Sequence, residues 1–513
     1  MPRLTIDGRP VEVPEGATLL DAARLLGIEI PALCAHPGLE PSTSCLVCVV
    51  RLEGEQRMRP SCATRAEEGM RVESETEAVH EARRTALELL FSEHLGECRS
   101  PCQRICPLDL NVPLLMRQVQ AGDMQRAVVE LREALPMPWV LGHVCPAHCE
   151  QGCRRSGHDD GAAIRALERV VAEADHKDGH PFVPPCAARS GRRVLVVGAG
   201  PCGLSAAYFL LREGHAVTVL EARERAGGRL REIGPDQLPA SVLDAEIGVL
   251  QAMGLDLRTS TGVDHGPTLE ALLEGHDAVL VASGVDGSAL LQGRRADPRT
   301  GTTSRPGLFA AGGATRASRG PAHAMADGQR AAVAIGQHLS GEPVVGREAD
   351  YGCSFGRLRD GEVDEYLGLL APAAREPRTG AHPLRLAGEE AVREAARCLR
   401  CDCAKVESCT LRQWGERYGA APSRHKTERK RFERRADSRV VFEPGKCILC
   451  GICIQLAEQE REPLGLTFVG RGFDVQVGVP FRGAFDEGLT RAAARCVEAC
   501  PTGALALRDP TRR

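Results

Sequence analysis

Residues 194–221 read VLVVGAGPCGLSAAYFLLREGHAVTVLE. Val194–Val197 is a run of β-branched and apolar residues, as a buried parallel strand requires. Gly198, Gly200 and Gly203 follow at G-x-G-x-x-G spacing. A helix is expected from Leu204 to about Glu213, and a second strand over Ala216–Leu220 ends in Glu221. The first glycine allows the tight turn, the second lets backbone approach a pyrophosphate, and the third lets helix pack on strand. The helix N-terminus then holds the phosphate charge, and Glu221 can bond ribose hydroxyls. Strand, glycine loop, helix, second strand and acid together describe a dinucleotide site. The alternative is a glycine-rich turn in an ordinary α/β domain.

Further along come Ala226-Gly227-Gly228-Arg229-Leu230, Asp277-Ala-Val-Leu-Val-Ala-Ser-Gly284 and Pro306-Gly-Leu-Phe-Ala-Ala-Gly-Gly313. With the glycine loop, this set resembles the FAD domain of the glutamate synthase small subunit, which dihydropyrimidine dehydrogenase shares. The resemblance implies FAD rather than NAD, with Gly198, Gly200, Gly203, Glu221, Gly228, Arg229, Gly312 and Gly313 around it. It also implies that the N-terminus of a closing helix, Met325–Leu339, lies near the flavin, with Met325 as a ring contact. One departure stands out: the family carries an acid, which binds the ribityl chain, where this chain has Gly313.

A length of 513 residues suggests three or four domains, and 43% hydrophobic residues suffice for real cores. The net charge of −4 gives no nucleic-acid footprint. The start, MPRLTIDGRPVEVPEG, has no apolar signal region, and no apolar run reaches membrane-spanning length. The expectation is a cytoplasmic protein without membrane insertion. In that compartment disulfides are disfavoured, so 22 cysteines point to metal. Most fall into groups. Cys186, Cys202 and Cys353 stand alone and read as structural or incidental.

Residues 1–78 read as a β-grasp domain: a hairpin turning at Asp7-Gly8, then a helix capped at Gly16-Ala-Thr18. Cys34-x10-Cys45-x2-Cys48-x13-Cys62 can hold a [2Fe–2S] cluster, with a four-cysteine zinc site as the alternative. The spacing resembles the N-terminal domain of the large iron–sulfur subunit of respiratory NADH dehydrogenase and of iron-only hydrogenases. The amphipathic helix of residues 77–95 ends in His94-x3-Cys98, and in that NADH dehydrogenase subunit the matching histidine ligates a [4Fe–4S] cluster.

The continuation differs. Cys98-x3-Cys102-x3-Cys106-Pro107, with His143-Val-Cys145-Pro-x2-Cys149-x3-Cys153 and Ile164-Arg-Ala-Leu-Glu168, resembles the helical domain of the glutamate synthase small subunit and dihydropyrimidine dehydrogenase. That domain, here residues 79–185, holds two [4Fe–4S] clusters. The resemblance assigns Cys98, Cys102 and Cys153 to one, and Cys106, Cys145, Cys149 and Glu168 to the other. The first lacks a ligand, for which His94 is the nearest candidate; otherwise His94 is a solvated helix-end residue.

After the linker His180–Pro185, the FAD domain occupies residues 186–345 and a charged connector residues 346–435. The connector contains Cys398, Cys401, Cys403 and Cys409, which could hold a [4Fe–4S] cluster, complete the dicluster's coordination, or bind zinc. Its basic run Arg424–Arg435 reads as a solvated or docking face. Residues 436–513 are ferredoxin-like. A two-cluster bacterial ferredoxin reads C-x2-C-x2-C-x3-C-P twice. Here the first fourth cysteine is Ala457 and the second motif has lost its first two, so one cluster survives on Cys447, Cys450, Cys453 and Cys500. Cys496 has no assigned role.

The glutamate synthase small subunit inserts an NADPH domain into its FAD domain. Here only residues 285–305 separate Gly284 from Pro306, whereas a βαβ unit takes about 30 or more. The fold class is thus multidomain α+β and α/β, with a Rossmann-like FAD domain missing its NADPH subdomain. The expected function is electron transfer between FAD and a chain of clusters, one [2Fe–2S] and three or four [4Fe–4S]. The expected context is a hetero-oligomer with redox partner subunits or a ferredoxin, of formate dehydrogenase, hydrogenase or diaphorase type. The alternatives are a self-sufficient NAD(P)H:acceptor oxidoreductase and a non-catalytic scaffold with a vestigial flavin site. No residue pattern for acid/base or nucleophilic catalysis stands out.

Overall fold

The computed structural model describes residues 1–263, 269–316, 320–368, 386, 388–426 and 428–508. The middle of the expected connector lies outside them. The chain divides into two compact units. One comprises Met1–Ser100, Tyr351–Ala371 and Arg400–Arg513; the other comprises Pro101–Asp350 and Pro372–Leu399.

In the first unit, a five-stranded mixed sheet is built from the N-terminal residues. Arg3–Ile6 pairs antiparallel with Arg9–Glu12 through the Asp7-Gly8 turn and parallel with Arg71–Glu73. Val49–Leu52 pairs antiparallel with both Arg71–Glu73 and Met58–Pro60. Both turn residues have positive φ, Asp7 at 47° and Gly8 at 75°, as a tight hairpin demands. The helix Leu19–Leu25 starts where the sequence places it. Thr18 accepts from the Asp21 amide while Asp21 accepts from the Thr18 amide, a reciprocal capping box. Leu19, Leu20, Ala22 and Ala23 bury one face of this helix in a core with Ile6, Val50 and Val72. Glu77–Ser92 forms the expected amphipathic helix, capped by Thr76.

The C-terminal part of this unit holds a three-stranded antiparallel sheet. Val440–Phe442 lies between Arg435–Ala436 and Leu505–Leu507. The helices Ile452–Gln459 and Ala493–Ala499 pack together beside it. Phe442, Leu456, Val477 and Leu505 form part of their core.

The second unit carries a five-stranded sheet, parallel throughout, in the order Leu308–Ala310, Ala278–Val281, Arg193–Val197, Ala216–Leu220, Asp256–Arg258. The Arg193–Val197 strand is central, and Val194–Val197 are buried, which is why that stretch is continuously apolar. The first Rossmann helix is Pro201–Arg212, beginning earlier than Leu204 because Pro201 occupies the first turn and Gly200 the N-cap. The closing helix likewise begins at Pro321 and runs to Leu339. These two helices cross closely: a Cβ on Gly328 would lie 2.1 Å from the Cys202 carbonyl oxygen.

The helices Val112–Gln120, Met124–Ala134, Pro138–Val144 and Ile164–His176 share a core with this Rossmann layer. Arg132 locks the two together. Its Nη1 donates to Glu246 Oε2 at 2.5 Å and its Nη2 to Asp175 Oδ2 at 2.8 Å, with all three side chains buried. Tyr208 adds a hydrogen bond to the Arg132 carbonyl. Removing one partner of such a buried pair costs about 3–5 kcal/mol, because the other charge is stranded.

Candidate functional site

The nucleotide site is built at the carboxyl ends of Arg193–Val197 and Ala216–Leu220. A Cβ on Gly203 would lie 1.9 Å from the Gly198 carbonyl oxygen, so only glycine lets the helix sit on the strand. A Cβ on Gly200 meets nothing within 4 Å. The loop therefore presents bare backbone at its middle glycine, the condition for close approach of a diphosphate. Gly228, with φ of 54°, lies over Gly200: its Cβ would stand 2.9 Å from the Gly200 Cα. The two glycine motifs thus converge on one place.

Glu221 ends its strand buried, with Oε2 accepting from the Ala199 amide at 2.8 Å and Oε1 from the Arg223 amide at 2.9 Å. Each carboxylate oxygen retains a second lone pair for a hydroxyl. Arg229 projects into solvent, near Glu232. Gly312 has φ of 63°, and its Cβ would press on Cys202 Sγ at 3.0 Å. At Gly313 a Cβ would meet the Gly284 backbone at 3.0 Å, so an acid here requires that backbone to move. Met325 is fully buried in the core, and its carbonyl accepts from Ser205 Oγ at 2.6 Å.

In the same unit Cys102 lies on the short helix Pro101–Ile105, Cys149 on His148–Gln151 and Glu168 on Ile164–His176. Ala147, at φ of 56°, makes the turn between Cys145 and Cys149. Burial pushes Cys106 up to about 11 and Cys145 up to about 12, with the Glu168 carboxylate adding to both. Cys149 is raised by burial and then by Glu168, Cys106 and Cys145. Glu168 is itself pushed up to about 8, by burial first and Glu150 second. Each of these three thiols thus feels the Glu168 carboxylate in an apolar setting, and three thiolates with one carboxylate would suit an iron–sulfur cluster. Cys153 packs against Gly161, and Cys398 packs on this unit's core.

In the other unit, Cys34, Cys45, Cys48 and Cys62 are all buried. Cys34 and Cys45 are 3.3 Å apart at sulfur, and so are Cys48 and Cys62. A tetrahedral metal with sulfur at about 2.3 Å holds two ligands about 3.8 Å apart. Each pair is thus close enough to serve one metal, which fits two irons. Contact with Cys62 brings the Cys48 thiol down from its ordinary range.

Cys447, Cys450, Cys453 and Cys500 line a single cavity with Phe442 and Val477. The Leu449 amide donates to Cys447 Sγ at 3.4 Å. Cys496 does not line the cavity; its thiol donates to the Cys453 carbonyl at 3.5 Å. Lys405 Nζ donates to the carbonyls of Val497 and Cys500 at 2.7 and 2.8 Å, capping the helix that leads into Cys500.

Cys353, isolated in the sequence, is not alone in the fold. Its sulfur is 3.6 Å from Cys98 Sγ, and its amide donates to that sulfur at 3.4 Å. The Cys98 amide returns a bond to the Cys353 carbonyl at 3.0 Å. No sequence signal marks this contact, because its partners are 255 positions apart. Cys401, Cys403 and Cys409 are buried in this same unit, whereas Cys398 falls in the other. His94 is half-buried, with Nδ1 sealed from solvent and unpartnered, and burial brings it down to about 3. Lys446 is buried and paired with Glu443, a charge that sequence reasoning missed.

Among the described residues, no three His, Cys, Asp or Glu gather as a single ion would need, and no helix is long and apolar enough to cross a membrane.

Three family profiles match the chain. Residues 2–77 match a 2Fe-2S iron-sulfur cluster binding domain. Residues 63–180 match dihydropyrimidine dehydrogenase domain II, 4Fe-4S cluster. Residues 196–253 match an NAD(P)-binding Rossmann-like domain. Among curated proteins, the chain is 34% identical over 212 residues to the NADP(+)-dependent formate dehydrogenase subunit beta of Moorella thermoacetica, covering 37% of this chain and 30% of that one. It is 34% identical over 195 residues to the NAD-dependent dihydropyrimidine dehydrogenase subunit PreT of Escherichia coli, covering 37% and 47%. It is 32% identical over 194 residues to the glutamate synthase [NADPH] small chain of Bacillus subtilis, covering 37% and 39%. The chain thus spans less than half the length of these relatives. It is a multidomain α/β protein with iron–sulfur domains and a Rossmann-like nucleotide-binding domain.

Proposed function

We propose that this chain is an iron–sulfur flavoprotein oxidoreductase that passes electrons between FAD and a series of clusters as a subunit of a larger redox complex. The observation that carries this reading is the pairing of two features. Gly200 opens onto bare space beside Glu221, and cysteines are gathered in buried sets in both units. FAD, when bound, exchanges electrons in pairs with one partner and singly with clusters.

The chain's own residues supply the rest. Gly198, Gly200 and Gly203 shape the pyrophosphate cradle, Glu221 orients the ribose, and Gly228 seals the loop from above. Cys34, Cys45, Cys48 and Cys62 hold a [2Fe–2S] cluster. Cys106, Cys145, Cys149 and Glu168 hold one [4Fe–4S] cluster and Cys447, Cys450, Cys453 and Cys500 another. Buried apolar walls and amide bonds to sulfur, such as that from Leu449, set the potentials. FAD is favoured over a nicotinamide at the glycine loop because the sequence that follows it is of the flavin-domain kind. The partner is a redox subunit of formate dehydrogenase, hydrogenase or diaphorase type, or a ferredoxin, and the setting is the reducing cytoplasm that free thiols require.

Anaerobic purification tests this directly. The protein should carry one FAD and about 14 to 18 irons per chain, the sum for one [2Fe–2S] and three or four [4Fe–4S] clusters. Stoichiometric zinc in place of iron, or a protein that cannot be loaded with flavin, would overturn it.

A further inference from the structure

The grouping of cysteines along the chain and their grouping in space differ at one point. In the first unit Cys98, Cys353, Cys403 and Cys409 are all buried. Cys98 and Cys353 touch at 3.6 Å and exchange two backbone contacts. Cys403 is packed so tightly against Gly503 that a Cβ there would lie 2.4 Å from its sulfur. Cys409 donates to the carbonyl of Pro501, the residue after Cys500, at 3.8 Å. The four also lie within each other's field: Cys353 feels Cys98, Cys403 and Cys409, and Cys409 feels Cys403 and Cys98.

We propose that Cys98, Cys353, Cys403 and Cys409 are the four ligands of a [4Fe–4S] cluster in the first unit, separate from the cluster on Cys447, Cys450, Cys453 and Cys500. This rests on the reading of the chain as an iron–sulfur protein and adds a site to it. It takes Cys98 away from the dicluster set that the resemblance implies, and it takes Cys403 and Cys409 away from Cys398.

Chemistry supports the assignment. Four thiols in a buried setting would be inert hydrophobes if isolated, but crowded together they repel when ionised and gain a purpose only on a metal. Thiolates suit iron–sulfur clusters and zinc alike. Iron is favoured over zinc because the chain matches 2Fe-2S and 4Fe-4S domain profiles elsewhere along its length. The cluster's residual negative charge has its counter-charges in place, since Lys446 and Arg412 both act on Cys98. A Cβ on Gly96 would lie 2.5 Å from Cys353 Sγ and 2.6 Å from His94 Nε2. The only residue that fits between them is one without a side chain, and with four cysteines for four irons the proposal leaves His94 as the cluster's neighbour.

The test uses the full chain, purified anaerobically, as wild type, Cys353→Ser and His94→Ala, with iron, sulfide, zinc and FAD counted and the dithionite-reduced protein examined by electron paramagnetic resonance. Cys353→Ser should lose one to four irons per chain and one reduced-cluster signal while keeping FAD and the other signals. His94→Ala should keep its iron. A Cys353→Ser protein with wild-type iron and all signals overturns the proposal, as does the loss of one zinc per chain. So does a His94→Ala protein that loses the signal while Cys353→Ser keeps it. A wild type with no iron defeats the functional reading itself, which separates the two failures. Should Cys353→Ser lose its flavin as well, the wild type decides. Cys353 should resist alkylation in the iron-loaded protein and react once iron is chelated; equal reactivity in both overturns the assignment.

Discussion

Glu221 Oε2 accepts the amide hydrogen of Ala199 at 2.8 Å, which ties the end of one strand to the middle of the glycine loop that follows its neighbour. The acid therefore shapes the loop, and in the proposed site it also meets the ribose. Hydrogen bonds to a charged group contribute about 1.5–3 kcal/mol, equivalent to about a 10- to 150-fold change in binding. Glu221→Ala should weaken FAD binding by that factor, and Glu221→Gln, which keeps one acceptor, by less. Flavin fluorescence titration of the apoprotein measures it. Equal affinity in all three proteins would remove Glu221 from the site.

Two glycines of the same motif should fail in different ways. Gly200→Val adds a side chain where the protein has open space, so it should fold with its iron and lose flavin. Gly203→Ala places a methyl 1.9 Å from the Gly198 carbonyl oxygen, so it should destabilise the Rossmann layer itself, by about 1–3 kcal/mol or more. Thermal unfolding and flavin content of the two variants separate these outcomes. A Gly200→Val protein that keeps its flavin would count against the diphosphate cradle.

Hydride transfer needs a nicotinamide ring held against the flavin in near-attack geometry. Between Ala278–Val281 and Leu308–Ala310 the described residues include only short helical turns, not a second sheet. NADH and NADPH should therefore reduce the isolated chain slowly, whereas dithionite or a low-potential ferredoxin should reduce it fast. A partner subunit should restore pyridine-nucleotide activity. Anaerobic stopped-flow bleaching of the flavin by either nucleotide at about 1–1,000 per second would instead support a self-sufficient oxidoreductase.

Glu362 offers a pH-dependent test of the first unit. Its buried carboxylate takes a bidentate pair from Arg429 at 2.6 and 2.7 Å and the amides of Arg359 and Phe432 at 2.7 Å each. Burial alone would raise its pKa, but these bonds prevail, Arg429 first, and bring it down to about 2. A depressed carboxylate stabilises the fold above its unfolded value and loses that contribution as pH falls toward the folded one. Glu362→Gln should lower the melting temperature at pH 7, and the gap from wild type should narrow between about pH 4.3 and 2. A gap that is flat or widens toward acid would show that the ion pair is not the cause.

Local elements were legible because local chemistry writes them. Ala216–Leu220 is a strand where the apolar run predicts one, and Thr18 caps the helix that follows it. Helix starts shifted to Pro201 and Pro321 because apolar periodicity is blind to the first turn, where proline is tolerated. Cys447, Cys450, Cys453 and Cys500, grouped in the sequence by their ferredoxin-like spacing, line one cavity. Cys353 was not readable: nothing about Tyr351-Gly-Cys353-Ser354 distinguishes a metal ligand from a buried thiol. Nor was the closeness of Gly313 to Gly284, which turns an apparent loss of a flavin contact into a matter of space.

The contact between Cys98 and Cys353 also sets a clock on biosynthesis. The two cysteines leave the ribosome 255 residues apart. At about 5–20 residues per second, Cys98 waits about 10 to 50 seconds for its partner to emerge. During that interval the N-terminal sheet can fold, while the segment around Cys98 is held open with a thiol exposed to oxidants and stray metals. On the proposed assignment, a cluster here cannot be completed until Cys353 has emerged, and slowing elongation should lower the yield of intact protein more under air than under anaerobic growth.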